Sequence, residues 1–247
     1  MSQPPSPPFA GISLEQAGYA IAGRTILSDL TLSLTEQRIG VIGRNGSGKS
    51  TFLRLVSGLI SPTAGQVRVA GLDPAKDRKA MLRQLGILFQ NPDHQIIFPT
   101  VGEEMAFGLR QQGLDKAEAD SQVRAVLAAH GRAHWEKEPV TALSQGQRHL
   151  LCLLSVLAMG PNTILLDEPF AGLDLPTQTR LSRSLAALTQ QVITITHDPA
   201  ALQGYDRVIW LEAGRVRADG PVEATVAAFR AEMDRLGAAD ADTDLTH

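Results

Sequence analysis

The sequence has little cysteine and almost no net charge. Cys152 is the one cysteine among 247 residues, so no internal disulfide can form, and we expect a reducing compartment. Because Cys152 lies among leucines, we interpret it as a small buried apolar residue. The formal net charge of −3 provides no electrostatic surface for wrapping nucleic acid. We therefore expect a globular protein that has no nucleic acid partner.

Long hydrophobic runs are also missing. The longest, at residues 150–159, is far shorter than the roughly 20 residues that a helix needs to cross a bilayer, and it is typical of a buried core helix. Residues 1–8 are rich in proline and contain no basic residue, which argues against a secretory signal. We expect residues 1–8 and 237–247 to be disordered tails. The chain is expected in the cytoplasm, with membrane association through protein partners only.

Short β-rich runs alternate with helical segments along the rest of the chain, as is typical of a largely parallel sheet covered by helices. Strands are predicted at residues 30–34, 38–42, 66–70, 85–89, 163–167, 191–195 and 207–211. Helices are predicted at residues 49–57, 115–130, 145–159 and 176–189. Residues 91–160 are poor in strand candidates, so we predict a helical subdomain inserted into the sheet domain.

The strongest local pattern lies between an apolar run and a predicted helix. It has the form G-x-x-x-x-G-K-[ST] and comprises Gly43, Arg44, Asn45, Gly46, Ser47, Gly48, Lys49, Ser50 and Thr51. Its glycines let successive main-chain N–H groups point at phosphate oxygens, and the helix N-terminus adds to the attraction. Lys49 would reach the β- and γ-phosphates, and Ser50 would offer its hydroxyl to Mg²⁺. A chance glycine-rich turn is the alternative, which the flanking strand and helix disfavour.

A second pattern is an apolar strand that ends in Asp167 and Glu168. Carboxylates at the C-terminal end of a parallel strand face the same crevice as a phosphate loop. Asp167 is predicted to bind Mg²⁺ through water, and Glu168 is predicted to orient and polarise the attacking water. By itself an acidic pair is more often a solvated strand end. Together with the phosphate loop, it indicates a P-loop ATPase.

The segment that begins the helix predicted at 145–159 indicates which family of P-loop ATPases this chain resembles. The pentapeptide Leu143-Ser144-Gln145-Gly146-Gln147, here called the signature turn, resembles the signature motif of ABC ATPases. The resemblance implies that these residues contact the γ-phosphate of ATP held by a second chain, so that two chains share each site. The family pattern usually has glycine where this chain has Gln145. Alone, the pentapeptide would be interpreted as a helix cap.

Three further residues match the family in the expected order. Gln90 resembles the glutamine that binds magnesium and senses the transmembrane partner, and Asp174 resembles the residue that couples the two sites of the dimer. His197 resembles the switch histidine, which would hold the attacking water together with Glu168. Without the family, Gln90 and Asp174 would be ordinary turn residues.

The resemblance covers about residues 12–235, predicts an ATP-binding domain at residues 9–236, and implies the ABC ATPase fold, an α/β architecture. This fold has a RecA-like, mostly parallel P-loop sheet core, here residues 9–90 and 161–236, an antiparallel β subdomain, and the helical subdomain at 91–160. Tyr19 is the candidate for stacking on adenine, and Ile21 competes for the position. The remaining histidines lack the spacing of metal ligands, and we interpret them as structural or solvent-facing: His94, His130, His134, His149 and His247.

Residues 88–101 and 106–109 look like the ATPases of energy-coupling-factor transporters, which import vitamins or cobalt and nickel. Four apolar residues there would form a surface that binds the coupling helices of a membrane protein: Ile96, Ile97, Phe98 and Phe107. A plain core helix accounts for these residues nearly as well. Residues 71–77 look most like the biotin transporters, with the cobalt transporters as the rival.

The family implies ATP and Mg²⁺ as cofactors and two kinds of partner. One is a second ATPase chain, identical or paired, and the other comprises a transmembrane coupling protein and a substrate-binding membrane protein. Such an ATPase would lie at the cytoplasmic face of the cell membrane. A soluble ABC-type ATPase without a transport role is the alternative. The length of 247 residues leaves no room for the long coiled coil or second cassette that such soluble members carry.

Overall fold

Two sheets and seven α-helices make up residues 11–238, the part of the chain that the computed structural model describes. The strands are β1 (Ile12–Ile21), β2 (Arg24–Leu34), β3 (Arg38–Ile42), β4 (Ala64–Val69), β5 (Leu85–Leu88), β6 (Thr163–Asp167), β7 (Gln191–Thr196), β8 (Arg207–Glu212) and β9 (Arg215–Gly220). The helices are α1 (Lys49–Val56), α2 (Arg78–Gln84), α3 (Val101–Gln111), α4 (Lys116–Ala129), α5 (Gln145–Ala158), α6 (Leu175–Ala186) and α7 (Val222–Ala238).

The larger sheet has the strand order β5-β6-β7-β3-β8-β9. Its neighbouring strands run parallel except for the last pair, in which β9 is antiparallel to β8. Strands β3, β6 and β7 are buried along almost their whole length, which explains their continuous apolar sequences. Since β3 and β6 both pair with β7, the loops after them meet at one edge. The expected α/β class with a mostly parallel core is confirmed.

The smaller sheet is antiparallel and has the order β2-β1-β4. Its central strand, β1, was not predicted from the sequence, and neither was β9, because polar residues and bulges interrupt the apolar alternation in both. Helices α2, α3 and α7 were not predicted either. In α3 the pattern is weakened by two glycines at close packing contacts: a Cβ on Gly102 would lie 2.8 Å from the Glu136 oxygen, and one on Gly108 would lie 2.4 Å from the Met159 sulfur.

The predicted tail at 237–247 is wrong at its start, because α7 continues through Ala238. This helix is anchored on β8 by an edge-to-face contact between Phe229 and Trp210, whose rings lie 5.4 Å apart. The remainder of that tail and residues 1–8 lie outside the described residues. Throughout residues 11–238, every helix is too short or too polar to cross a lipid bilayer.

Helices α3, α4 and α5 lie between β5 and β6 in the chain, inside the subdomain predicted at 91–160. They pack around a hydrophobic cluster of their own that includes Met105, Val123, Trp135 and Leu151. A different cluster, with Leu88, Cys152 and Leu166, lies between α5 and the larger sheet. Helix α5 therefore belongs to both parts, because it packs on the other helices through Leu151 and on the sheet through Cys152.

Gln191 is a fully buried amide that ties the two sheets together. Its Nε2 donates to the main-chain oxygens of Leu34 and Glu36 at 3.1 and 2.9 Å, and its Oε1 accepts from the Thr163 hydroxyl at 2.9 Å. Leu34 ends β2 in the smaller sheet, whereas Thr163 begins β6 in the larger one. One side chain therefore fixes the smaller sheet against the sheet that carries the site.

Replacing Gln191 with leucine is expected to lower the free energy of unfolding by about 3 kcal/mol, because three buried polar groups lose their partner. Urea denaturation followed by circular dichroism would measure this. Gln111→Leu, on the exposed end of α3, is the matched control and should change the midpoint little. Equal midpoints for the two variants would show that Gln191 does not tie the sheets together.

Candidate active site

The phosphate loop, residues 43–51, joins β3 to α1 and is built on glycine geometry. Gly46 and Gly48 have φ angles of 78° and 104°, in the left-handed region that glycine adopts without strain. At Gly43 there is no space for a side chain, because a Cβ would lie 2.2 Å from the Leu211 oxygen. The loop therefore passes close to the sheet, and the first N–H groups of α1 remain free of helical partners and available to an anion.

Lys49 is buried at the base of this loop. Its ammonium donates to the main-chain oxygens of Gly43 and Arg44 at 2.6 and 3.0 Å. Burial lowers the pKa of Lys49, while the nearby carboxylates of Glu168 and Asp167 act in the opposite direction. The ammonium is thus held in place by the loop and stands between main-chain oxygens and two acidic groups.

Asp167 is the last residue of β6 and Glu168 directly follows it, at the same edge of the sheet. Burial raises the pKa of Asp167, as does the charge of Glu168, whereas Lys49 and Arg54 oppose the rise. Glu168 has a positive φ of 47°, a sparsely populated conformation for a residue with a side chain. Its N–H donates to the Ile195 oxygen of β7 at 2.8 Å, which holds this conformation.

The Glu168 carboxylate has two partners at the end of β7, namely Thr196, its last residue, and His197, which directly follows it. Its Oε1 lies 2.8 Å from Nδ1 of His197, and its Oε2 accepts a hydrogen bond from the Thr196 hydroxyl at 3.0 Å. Because a carboxylate accepts hydrogen bonds, Nδ1 of His197 carries the hydrogen. The carboxylate is largely buried, and the imidazole is 61% exposed, so the histidine reaches from a fixed carboxylate toward solvent.

One cavity of about 500 Å³ joins these groups at the sheet edge. It brings together the predicted residues Asn45, Gly46, Gly48, Lys49, Ser50, Thr51, Gln90, Asp167, Glu168 and His197. Two lining residues were missed by the sequence analysis, Arg24 and Ile26. They begin β2, and no local pattern marks them, since only the folding of the smaller sheet over α1 brings them to the phosphate loop.

The signature turn lies at a second cavity, of about 560 Å³, between α5 and α6. Ser144 is the N-cap of α5, accepting from the Gln147 N–H at 3.3 Å while its own N–H donates to Gln147 Oε1 at 2.7 Å. A Cβ on Gly146 would lie 2.6 Å from the Thr177 methyl group. The Gln145 amide lies beside Gly172. Within one chain, the signature turn therefore packs on the segment around α6 and is separate from the phosphate cavity.

Asp174 and Tyr19 also lie outside the lining of the phosphate cavity. Asp174 is the N-cap of α6, and hydrogen bonds from the side chain and N–H of Thr177 lower its pKa. Tyr19 is opposite Leu27 in β1 and packs against the core of the sheets. Ile21, the competing position, is 57% exposed. A contact of Tyr19 with adenine thus remains a prediction.

Comparison with known proteins places this geometry in a family. The family model described as ABC transporter matches residues 27–171. The biotin transport ATP-binding protein BioM of Rhodobacter capsulatus is 54% identical over 89% of this chain and 94% of its own length. BioM of Rhizobium etli is 43% identical over 89% of this chain and 97% of its own length.

Among solved structures, cbiO1 of Clostridium perfringens, part of the ABC transporter complex cbiONQ, has a TM-score of 0.73. It is 27% identical, and the match covers 87% of this chain and 90% of that one. The fold, the phosphate cavity and the relatives all indicate the same family. The chain belongs to the ABC transporter family and is one of its ATP-binding, ATP-hydrolysing subunits.

Proposed function

We propose that two copies of this chain, or this chain and a paired ATPase, close on two ATP molecules and energise import through an energy-coupling-factor transporter. The observation that carries the proposal is the single cavity in which Lys49, Gln90, Asp167, Glu168 and His197 meet. Phosphoryl transfer to water needs a cation for the phosphates, oxygen ligands for the metal ion, and groups that orient the attacking water. The side chains in this cavity provide all of these at the end of a phosphate loop. The signature turn lies outside this cavity and would contact the nucleotide that the partner chain binds.

Magnesium fits the oxygen donors of this cavity. The Ser50 hydroxyl, the Gln90 amide oxygen and the Asp167 carboxylate all line it, and Mg²⁺ prefers few protein oxygens together with phosphates and water. The described residues contain no cluster of three or more histidine, cysteine or acidic side chains that would hold a metal ion without the nucleotide. When bound with ATP, magnesium would neutralise charge on the phosphate oxygens.

Glu168 and His197 would act on the attacking water. The Glu168 carboxylate accepts a proton from water or orients it, and the hydrogen bond from Thr196 keeps one carboxylate oxygen fixed. With Nδ1 donating to Glu168, Nε2 of His197 is the ring nitrogen that would face the γ-phosphate, and it would donate to a phosphate oxygen when it also carries a hydrogen. Lys49, released from the loop oxygens, would contact the β- and γ-phosphates.

The membrane partner would bind an apolar surface after Gln90. Ile97 is 71% exposed and Phe107 is 38% exposed, and the rings of Phe98 and Phe107 lie 5.1 Å apart. The buried carboxylate of Glu104 accepts from the N–H groups of Ile97 and Phe98 at 2.8 and 2.9 Å, which fixes the main chain of this segment. This surface supports docking of coupling helices, and thereby a location at the cytoplasmic face of the cell membrane.

Biotin is the proposed cargo, because the relative at 54% identity is a biotin transport ATP-binding protein. Cobalt is the second candidate, on the resemblance of residues 88–101 and 106–109 to the ATPases of energy-coupling-factor transporters. The test is uptake of radiolabelled biotin and of ⁵⁷Co²⁺ into vesicles that contain the membrane proteins copurifying with the chain. We expect biotin uptake that requires ATP. Cobalt uptake without biotin uptake would favour the second candidate, and no ATP-dependent uptake of either would overturn both cargo proposals.

A further inference from the structure

His149 is a buried histidine of α5 that has no role in the proposed ATP hydrolysis. Only 1% of its surface is exposed. Its Nε2 is 3.1 Å from the main-chain oxygen of Gln90, and its Nδ1 is 3.3 Å from that of Gln145. Because carbonyl oxygens only accept hydrogen bonds, Nε2 carries the hydrogen when the ring binds Gln90. With its hydrogen on Nε2, the neutral ring has none on Nδ1 to donate to the Gln145 oxygen, so the ring links Gln90 to α5, the helix that begins at the signature turn.

The Gln90 end of this contact lies in an irregular segment after β5, an edge strand of the larger sheet. The Gln95 side chain supports this segment, accepting from the Phe89 N–H and donating to the Ile87 oxygen, both at 3.2 Å. His149 holds Gln90 itself, across 59 residues of sequence. The position of the Gln90 main chain, which carries the side chain that lines the cavity, therefore depends on where α5 places the imidazole ring.

The other end of the contact is the helix that begins with the signature turn. Ser144 caps α5, and His149 lies five residues later, about 7.5 Å along the helix axis. A helical segment of this length moves as a rigid unit, so a displacement of Ser144 is carried to His149. The adjacent Arg148 adds an ion pair to Asp93 at 3.4 Å, but Asp93 is 59% exposed, and such pairs contribute little.

We propose that His149 is a positioning residue that makes the Gln90 segment and the signature turn move together. Contact of the signature turn with the partner's ATP would thereby set the position of Gln90 at the chain's own phosphate cavity. The proposal rests on the proposed function, in which Gln90 and Ser144 serve two different nucleotides.

The test compares His149→Gln with His149→Met. Both side chains are unbranched and favour helix, but only glutamine supplies an N–H donor for the Gln90 oxygen. In the full-length chain, we expect the methionine variant to lose about tenfold in kcat for ATP with little change in KM, since one buried hydrogen bond is lost. The glutamine variant should keep most of the activity. Arg148→Met, which removes the neighbouring ion pair, is the control and should resemble the wild type.

Hydrogen exchange separates positioning from general destabilisation. In His149→Met, amides of residues 90–95 should exchange at least about tenfold faster, while amides of β3 and β7 stay protected. Equal exchange and equal kcat in the methionine and glutamine variants would overturn the proposal. Faster exchange throughout the chain would equally overturn it, since His149 would then serve only stability.

The ring tautomer gives a test that needs no variant. ¹⁵N NMR of the wild-type chain should show hydrogen on Nε2 of His149, and a ring with hydrogen on Nδ1 alone would overturn the proposal. If the wild-type chain hydrolysed no ATP, the proposed function would fail. The exchange and tautomer measurements would still show whether His149 holds Gln90, so the two failures are distinguishable.

Discussion

Replacing Glu168 with glutamine is expected to reduce kcat for ATP hydrolysis at least about a hundredfold, because a general base contributes on the order of 10² to 10⁴ in rate. The glutamine keeps the size of the side chain and accepts the hydrogen bond from Thr196, which lies 3.0 Å away. It lacks the charge that takes a proton from water. ATP binding should persist, since the phosphate loop is unchanged.

The Glu168→Gln variant also tests whether two chains close on the bound ATP. With hydrolysis blocked, the closed state should accumulate, so size-exclusion chromatography should show a dimer with ATP and Mg²⁺ and a monomer with ADP. Glu223→Gln, on the exposed face of α7, is the control and should hydrolyse ATP at the wild-type rate. Phosphate release by Glu168→Gln at a rate near that of the wild type would refute the role given to this carboxylate.

Replacing Lys49 with methionine is expected to weaken ATP binding by about a hundredfold, since hydrogen bonds to charged groups contribute about 1.5 to 3 kcal/mol each. The ammonium makes two bonds to loop oxygens, at 2.6 and 3.0 Å, and would exchange them for phosphate oxygens. Its removal therefore takes away a cation and leaves two loop oxygens without their donor. The phosphate loop loses both its ligand contact and an internal support.

Isothermal titration with ATP and Mg²⁺ would measure this effect, and thermal denaturation without nucleotide would measure the loss of loop support. Lys79→Met, at an exposed position on α2, removes the same charge elsewhere and should leave the affinity unchanged. An unchanged affinity in Lys49→Met would mean that the nucleotide is not bound at this loop.

The residues at the phosphate cavity could be named from the sequence because their chemistry is local. Lys49 and Ser50 stand at fixed positions in a glycine pattern, and Asp167 and Glu168 directly follow an apolar strand. Strand ends of a parallel sheet meet at one edge, so two local patterns sufficed to expect one cavity. Arg24 and Ile26 carry no such mark, and the fold of the smaller sheet alone brings them to that cavity.

The interpretation of His149 as an ordinary structural histidine shows the limit of local patterns. Nothing in the sequence near His149 indicates Gln90, which is 59 residues earlier. Likewise, Gly102 and Gly108 weakened the helical pattern of α3, although each is a point of close packing against another segment. Helix propensity is a weak prior that tertiary contacts override.

By itself, the sequence determined the family, the α/β class and the residues of the phosphate loop and acidic pair, since glycine geometry and charge placement follow from residues adjacent in the chain. The tertiary structure decided which residues share a cavity: it separated the signature turn from the phosphate loop and joined Glu168 to His197 and Gln90 to His149. Those contacts span loops of tens of residues. They form only because packing of the helices and the sheet brings distant segments together.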